Sequence, residues 1–364
     1  MQKIKDFINK YLPKWVIAAF AITLIAWVVS LFAGSFPKFS DLVNSTASTF
    51  LRVVTSYLSY PLPFSLFEAI VLLLVPVLTA VTVIVFRGAK SSKELLRSLF
   101  SLLGVASLFM SGYILSFGVA YHTSPLSAKL GIENISDISE EELYEVTVKV
   151  RDEVNRLSFE VDYSDSEGIM PYSLDELSEK LSLAYTSVSE KYPFFYNFNS
   201  RVKPITFSGV MSDLGLTGIY TFYTGEANIN TAYPDYNLPF TAAHELAHQR
   251  GIARENEANF MAFLVCSHSD DAFIRYSGYL NLYEYLASAL YSTDSELYKT
   301  VHGELNENAR LDIKASSSIT LEHRDSFLYK LSHAVNDTYL KLNGTEGSVS
   351  YGYVVRLAVS YFRE

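Results

Sequence analysis

Three uninterrupted apolar runs in the first 121 residues constrain this chain more than any other feature. Trp15 to Ala33, Ala69 to Phe86 and Ser98 to Tyr121 contain no charged side chain. At about 1.5 Å per residue in a helix, each is long enough to cross the ~30 Å hydrocarbon core of a bilayer. Pro76 in the second run would kink a helix, which is tolerated within a bilayer. Buried core helices are the plain alternative, but three such runs in so short a stretch count against it. The first run is too long for the apolar part of a signal peptide and lacks a clear small-residue cleavage site, so it reads as a retained anchor. The expected organisation is a membrane anchor over 1–121, with spans at about 15–33, 64–86 and 98–121, followed by a second domain over 122–364.

Charge then orients the spans. The N-terminal tail carries Lys3, Lys5, Lys10 and Lys14 against Asp6, and the 87–97 loop carries Arg87, Lys90, Lys93 and Arg97 against Glu94. The loop between the first two spans holds only Lys38, Arg52 and Asp41. The positive-inside bias places the tail and the 87–97 loop in the cytoplasm, and three crossings put the second domain outside. Glu68, near the outer end of the second span, reads as snorkelling to the interface. Beyond residue 121 there are 19 basic and 35 acidic residues, a net charge of −16 against −10 for the whole chain. So acidic a domain argues against nucleic acid or anionic headgroups as partners.

The chemistry is announced by His244-Glu245-Leu246-Ala247-His248. Histidines four apart on a helix project from one face and can reach one metal ion, and the intervening glutamate stands where it can take a proton from a metal-bound water. Pro239 precedes the motif, Thr241 suits an N-cap, and Gly251 suits a left-handed stop, so a helix of about three turns is expected. A second helix is expected from Glu255 to Cys266, polar at its start and apolar afterwards. A catalytic zinc site needs a third protein ligand, and Glu255 and Glu257 are the nearest carboxylates. Two positions on a helix differ by about 200°, so only one of them can face the metal. Glu255 shares its face with Asn259, a partner able to steady a ligand, whereas Glu257 aligns with Met261 and Leu264. Glu255 is favoured, with Glu257 the alternative.

The segment Glu255-x-x-Ala258-Asn259 resembles the third-ligand helix of glutamate-type zincins, in which the first glutamate is the ligand; the resemblance assigns that role to Glu255. Gly251 is shared with the metzincin pattern, but Arg254 stands where metzincins place their third ligand and cannot bind a cation. Residues 218–230, the extended motif and Arg275-Tyr276-Ser277-Gly278-Tyr279 together resemble an uncharacterised bacterial family of membrane-anchored proteins read as zinc peptidases.

The rest of the second domain reads as α+β and mostly helical. Amphipathic helices are expected over 138–155 and 173–191, β-type runs punctuated by glycines over 203–231, and further helices over 278–292 and 321–340. Tyr220 to Asn230 offers a strand beside the motif helix for an extended peptide, with Asn228 and Asn230 as backbone-aligning groups; an ordinary strand with turn residues is the equal alternative. Tyr276 or Tyr279 could stabilise an oxyanion, although packing is the safer reading in a chain with 26 tyrosines. The lone Cys266 excludes an internal disulfide and reads as a small core residue. His122, His268, His302, His323 and His333 have no ligand spacing, although His302 or His323 could reach the site through the fold.

These features lead to the expectation of a three-span anchor carrying a zincin-like metallopeptidase domain. Its cofactor would be zinc on His244, His248 and Glu255, with Glu245 as general base, and its substrate a peptide or protein. The alternative, from another class, is a membrane sensor or binding protein that keeps the zincin fold with little hydrolysis.

Overall fold

The computed structural model describes residues 7–8, 10–164, 167–343 and 351–363; Lys3, Lys5 and Asp6 of the tail lie outside the described residues. The chain begins with α1 (Lys14–Ser35), α2 (Pro37–Val43), a π-turn over Asn44–Ser48, α3 (Thr49–Ser59), α4 (Leu66–Gly88) and α5 (Ser92–Ser116). Of these, α1, α4 and α5 are long and apolar enough to cross a membrane. Ala19, Ala26 and Ala33 form a buried seam on α1 that meets α5. The backbones come close there: a Cβ added to Gly104 would sit 2.9 Å from the Trp15 ring. Thr23 Oγ1 lies 2.8 Å from Ser111 Oγ and also bonds Ser107. Small residues and polar contacts of this kind hold helices together where lipid removes any hydrophobic drive to associate. No residue in the apolar window of α4 is buried.

The third helix differs from its expected span. It starts at Ser92 and stops at Ser116, and a 3₁₀ turn follows over Gly118–His122. Val119, Ala120 and Tyr121 are buried in that turn, so their apolar character reflects packing within the protein and not contact with lipid.

The second domain opens with α6 (Leu126–Leu130), α7 (Glu140–Leu157), a hairpin of β1 (Tyr163–Ser164) and β2 (Glu167–Gly168), and α8 (Leu174–Lys191). Both long helices begin with reciprocal caps, Ser139 with Glu142 and Ser173 with Glu176, which satisfy backbone N–H groups that no turn can reach. Next come β3 (Val202–Pro204), α9 (Ser208–Asp213), β4 (Gly218–Thr221) and β5 (Glu226–Ile229). The sheet order is β3-β5-β4, with β3 parallel to β5 and β4 antiparallel at one edge. The chain closes with α10 (Asn237–Gln249), α11 (Glu255–Ser267), α12 (Ala272–Thr293), α13 (Ser295–Gly303), α14 (Glu307–His323), α15 (Phe327–Leu342) and α16 (Tyr351–Arg363). α12 packs on α7, α10 and α11, and β4 and β5 pack on α10. Cys266 is buried where α11 meets α12 at Gly278, whose absent Cβ would lie 2.4 Å from the cysteine Cβ. The described residues are thus mostly helical, with two small sheets and three long apolar helices.

The anchor and the second domain share a polar junction. Ser40, Asn44, Ser48, Arg52, Ser56 and Ser59 recur at about one helical turn and are all buried. Arg52 donates to Asn44 Oδ1 and to the Asn44 and Ser116 carbonyls. Lys203 of β3 donates to Glu226 of β5 at 2.6 Å and to the Ser59 carbonyl at 2.7 Å. Glu226 in turn accepts from the N–H groups of Leu66 and Phe67, at the positive end of α4. Glu68 does not simply reach for the interface: it accepts from the N–H groups of Thr206 and Phe207.

Removing one partner of a buried ion pair leaves the other charge uncompensated, at a cost of about 3–5 kcal/mol. Lys203→Met should therefore lower the thermal midpoint of the full-length protein in detergent sharply, and adding Glu226→Gln should recover part of the loss. An unchanged midpoint in the single variant would show that the junction contributes little.

Candidate metal centre

The motif helix α10 begins earlier than Thr241 suggests. Tyr236 is its N-cap without a side-chain bond, and Pro239 sits in the first turn, where a missing N–H is harmless. The buried N–H of Phe240 is satisfied from α12, by Ser277 Oγ at 3.0 Å. The far end stops as expected. Gly251 has φ +90°, and Ile252 N–H returns to the Ala247 carbonyl at 3.1 Å. Glycine is required there twice over, because an added Cβ would also lie 2.4 Å from Arg52 Nη2. Asn44 Nδ2 donates to the Gly251 carbonyl at 2.9 Å, and Gln249 Nε2 to Ser56 Oγ at 3.0 Å. The anchor segment thus clamps the end of the helix that bears His248.

The reversal at 251–254 delivers Glu255, the first residue of α11, against both motif histidines. Its Oε2 lies 3.3 Å from His244 Nε2 and 3.6 Å from His248 Nε2. Their ligand atoms all lie within 4.8 Å of one another, the one such group of histidine, cysteine or acidic side chains found among the described residues. His248 Nδ1 bonds the Ile252 carbonyl at 2.7 Å, which leaves the Nε2 lone pair free toward the cluster. The His244 Nδ1 is buried with no partner among the described residues. Two imidazole nitrogens and one carboxylate oxygen fit zinc, which takes such a donor set with a fourth position open.

The electrostatics match a cation site. Burial alone would raise the Glu255 carboxyl, but His248 and then His244 hold it well below the usual carboxylate range. Burial opposes charge on His248, yet Glu255 and then Glu245 push it up to about 9. Glu245 is buried, and burial raises its pKa while His244 and His248 pull the other way. Its carboxylate accepts from the Tyr220 N–H of edge strand β4. Gly218, at the start of that strand, makes room for it: a Cβ there would stand 2.6 Å from Glu245 Oε1.

Glu257 is turned away from the cluster. It accepts from the Leu126 N–H at 2.9 Å and from Arg254 at 2.6 Å, and Arg254 also bonds the Tyr121 and Thr123 carbonyls. This pair fastens the exit of the third apolar helix to the start of α11. Asn259 is half-buried and makes no side-chain hydrogen bond among the described residues, so it does not hold a ligand here.

The groove residues chosen from sequence lie elsewhere. Asn228 and Asn230 sit on or beside central strand β5, not on the open edge. Asn228 donates to the Ile219 carbonyl, and Asn230 bonds Ser212, the Leu216 carbonyl and Ala232 N–H. Both are fully buried, Asn228 bridging β5 to β4 and Asn230 holding the turns before β4 and after β5. Tyr276 is buried with its hydroxyl donating to Asp312 at 2.6 Å, and Tyr279 packs edge-on against Phe263. The tyrosines near the cluster are instead Tyr121 and Tyr339, joined at 3.2 Å, both of which feel the Glu255 charge. Neither stands in a motif, and Tyr121 closes an apolar run that reads as a span. Of the other histidines, His302 stacks on Tyr298, His323 pairs with Asp213, and His268 bonds the Leu264 carbonyl.

The chain belongs to the family described as protein of unknown function (DUF3810), whose profile matches residues 39–359. That match takes in the junction segment, the motif helix and most of α16. The chain matches no curated protein and no solved structure.

The different settings of the two carboxylates separate their roles. Glu255→Ala should abolish stoichiometric zinc uptake by the purified full-length protein, as His244→Ala should. Glu257→Ala should retain zinc and lose stability, by about 1–3 kcal/mol for the orphaned donors. Metal analysis and thermal melts decide it, and loss of zinc only in the Glu257 variant would reverse the assignment.

Proposed function

We propose that this protein is a membrane-anchored zinc metallopeptidase that hydrolyses peptide bonds with a zincin-like domain. The observation that carries the reading is the convergence of His244, His248 and Glu255 within 4.8 Å, beside a buried Glu245. Zinc bound there would supply a Lewis acid that acidifies water and polarises a carbonyl. Glu245 neighbours His244 yet is not among the three converging ligands, so its carboxylate is free to accept a proton from the attacking water and hand it to the leaving amine. Its raised pKa suits both halves of that task, since a carboxylate that is too acidic returns a proton poorly. Edge strand β4, whose Tyr220 N–H steadies Glu245, supports an extended peptide as the substrate form, held by strand addition.

Glu245→Gln keeps size and hydrogen bonding but removes the base. Peptide hydrolysis should fall by about a hundred- to ten-thousand-fold while zinc stays stoichiometric. A cellular function that survives this substitution intact would favour the sensor reading over the enzyme.

We further propose that the tail and the 87–97 loop are cytoplasmic and the second domain extracytoplasmic, in a bacterial cell membrane. The charge pattern supports this, as does the way the domain meets the apolar helices at Leu66, Phe67 and Ser116. A reporter active only in the cytoplasm, fused after Glu364, should be silent; activity there would overturn the topology.

A further inference from the structure

We propose that α3 and α15 lie in the interfacial zone of the bilayer, so that the metal cluster is held at the membrane surface. This does not rest on the peptidase reading; it needs only the three apolar helices and the packing around them. One helix of the anchor segment and one of the second domain expose the wrong face for water, and both pack beside the end of α5.

The segment that includes α3 is inside out. Its polar residues at one-turn spacing, Asn44, Ser48, Arg52, Ser56 and Ser59, are buried in protein. The outward residues of α3 itself are Phe50, Val54, Tyr57 and Leu58, with Phe50 67% and Leu58 75% exposed. In water the hydrophobic effect would select the opposite arrangement. A polar face turned to protein and an apolar face turned outward is the pattern that lipid selects.

α15 repeats the pattern from the other end of the chain. Its inner face rests on the domain: Tyr329 and His333 crowd Gly215, and Leu340 is buried beside Phe117 and Tyr121. Its outer face carries Phe327, Leu331, Val335 and Leu342, all exposed. At 100° per residue these four fall within one narrow stripe, about opposite the inner face. Lys330 and Lys341 border one side of the stripe, where basic residues of an interfacial helix reach the headgroups.

Both faces are anchored to the same place. Tyr113, in the last turn of α5, donates to Tyr339 at 3.1 Å, and Phe222 of the β4–β5 turn packs on Phe109 and Tyr113. The same turn presses on α3, where a Cβ at Gly225 would lie 2.4 Å from Ser56 N. The last turns of a helix fit to cross the bilayer are therefore ringed by these elements. Phe117, one residue past α5, stacks edge-on against His248 at 5.7 Å. The metal cluster consequently sits within side-chain contact of the membrane helix.

Nitroxide labels on the full chain in phosphatidylcholine vesicles test the placement. Leu58→Cys, Leu331→Cys and Val335→Cys would carry the label, with Leu74→Cys on α4 as the lipid reference and exposed Leu183→Cys on α8 as the water reference. All are exposed positions, so folding is not at stake, and native Cys266 is buried. Collision with oxygen relative to a water-soluble nickel chelate should be several-fold higher at the three test sites than at Leu183, and should approach the value at Leu74. Values matching Leu183 at Leu58, or at both Leu331 and Val335, would overturn the proposal.

Discussion

The structure depends on the buried pair between Lys203 and Glu226. Two charges withdrawn from water cost several kcal/mol each unless their remaining valences are met. Here they are met by groups from outside the sheet: the Ser59 carbonyl takes one ammonium proton, and the first N–H groups of α4 take the carboxylate. The pair therefore stabilises the fold only when the anchor is in place. Sheet, α3 and α4 are bound to one another by the need to leave no charge unsatisfied, and β4 inherits its position from that bond.

From the sheet the constraint passes to the site. β4 lies next to β5, and its Gly218 and Tyr220 define where the Glu245 carboxylate can rest. On the other side, Arg52 and Asn44 receive Gly251, so the turn that swings Glu255 toward the histidines is held from below. The carboxylates of Glu245 and Glu255 are thus set by two different parts of one junction. Positions held through several tight contacts lose little entropy when a ligand arrives, which is how a preorganised site is built.

What could be read from the chain and what could not divides along the range of the interactions. The spacing of His244 and His248, the stop at Gly251 and the caps at Ser173 and Glu176 are local, and the structure places each on the element that local chemistry indicates. α10 starts at Asn237 and not near Thr241, and the Phe240 N–H within its first turns is met by Ser277, 37 residues away in sequence. The loop read between the first two apolar runs is helical, since Asn44, Arg52 and Ser56 find their partners at Gly251, Ser116 and Gln249. Asn228 and Asn230 looked suited to greet a substrate because a strand's two faces and edges are indistinguishable without its neighbours. Tyr121 and Tyr339 were invisible for the same reason: 218 residues separate two hydroxyls that touch.

The junction also bears on how this domain can exist. A polypeptide cut free near residue 122 would keep Lys203 and Glu226 but lose the Ser59 carbonyl and the α4 N–H groups that complete them. It would also lose the guanidinium and amide beneath Gly251. Release by cleavage near residue 122 would therefore leave buried charge and a helix end without their partners. A purification that discards the apolar helices would discard with them the contacts that hold Gly251 and the Lys203–Glu226 pair.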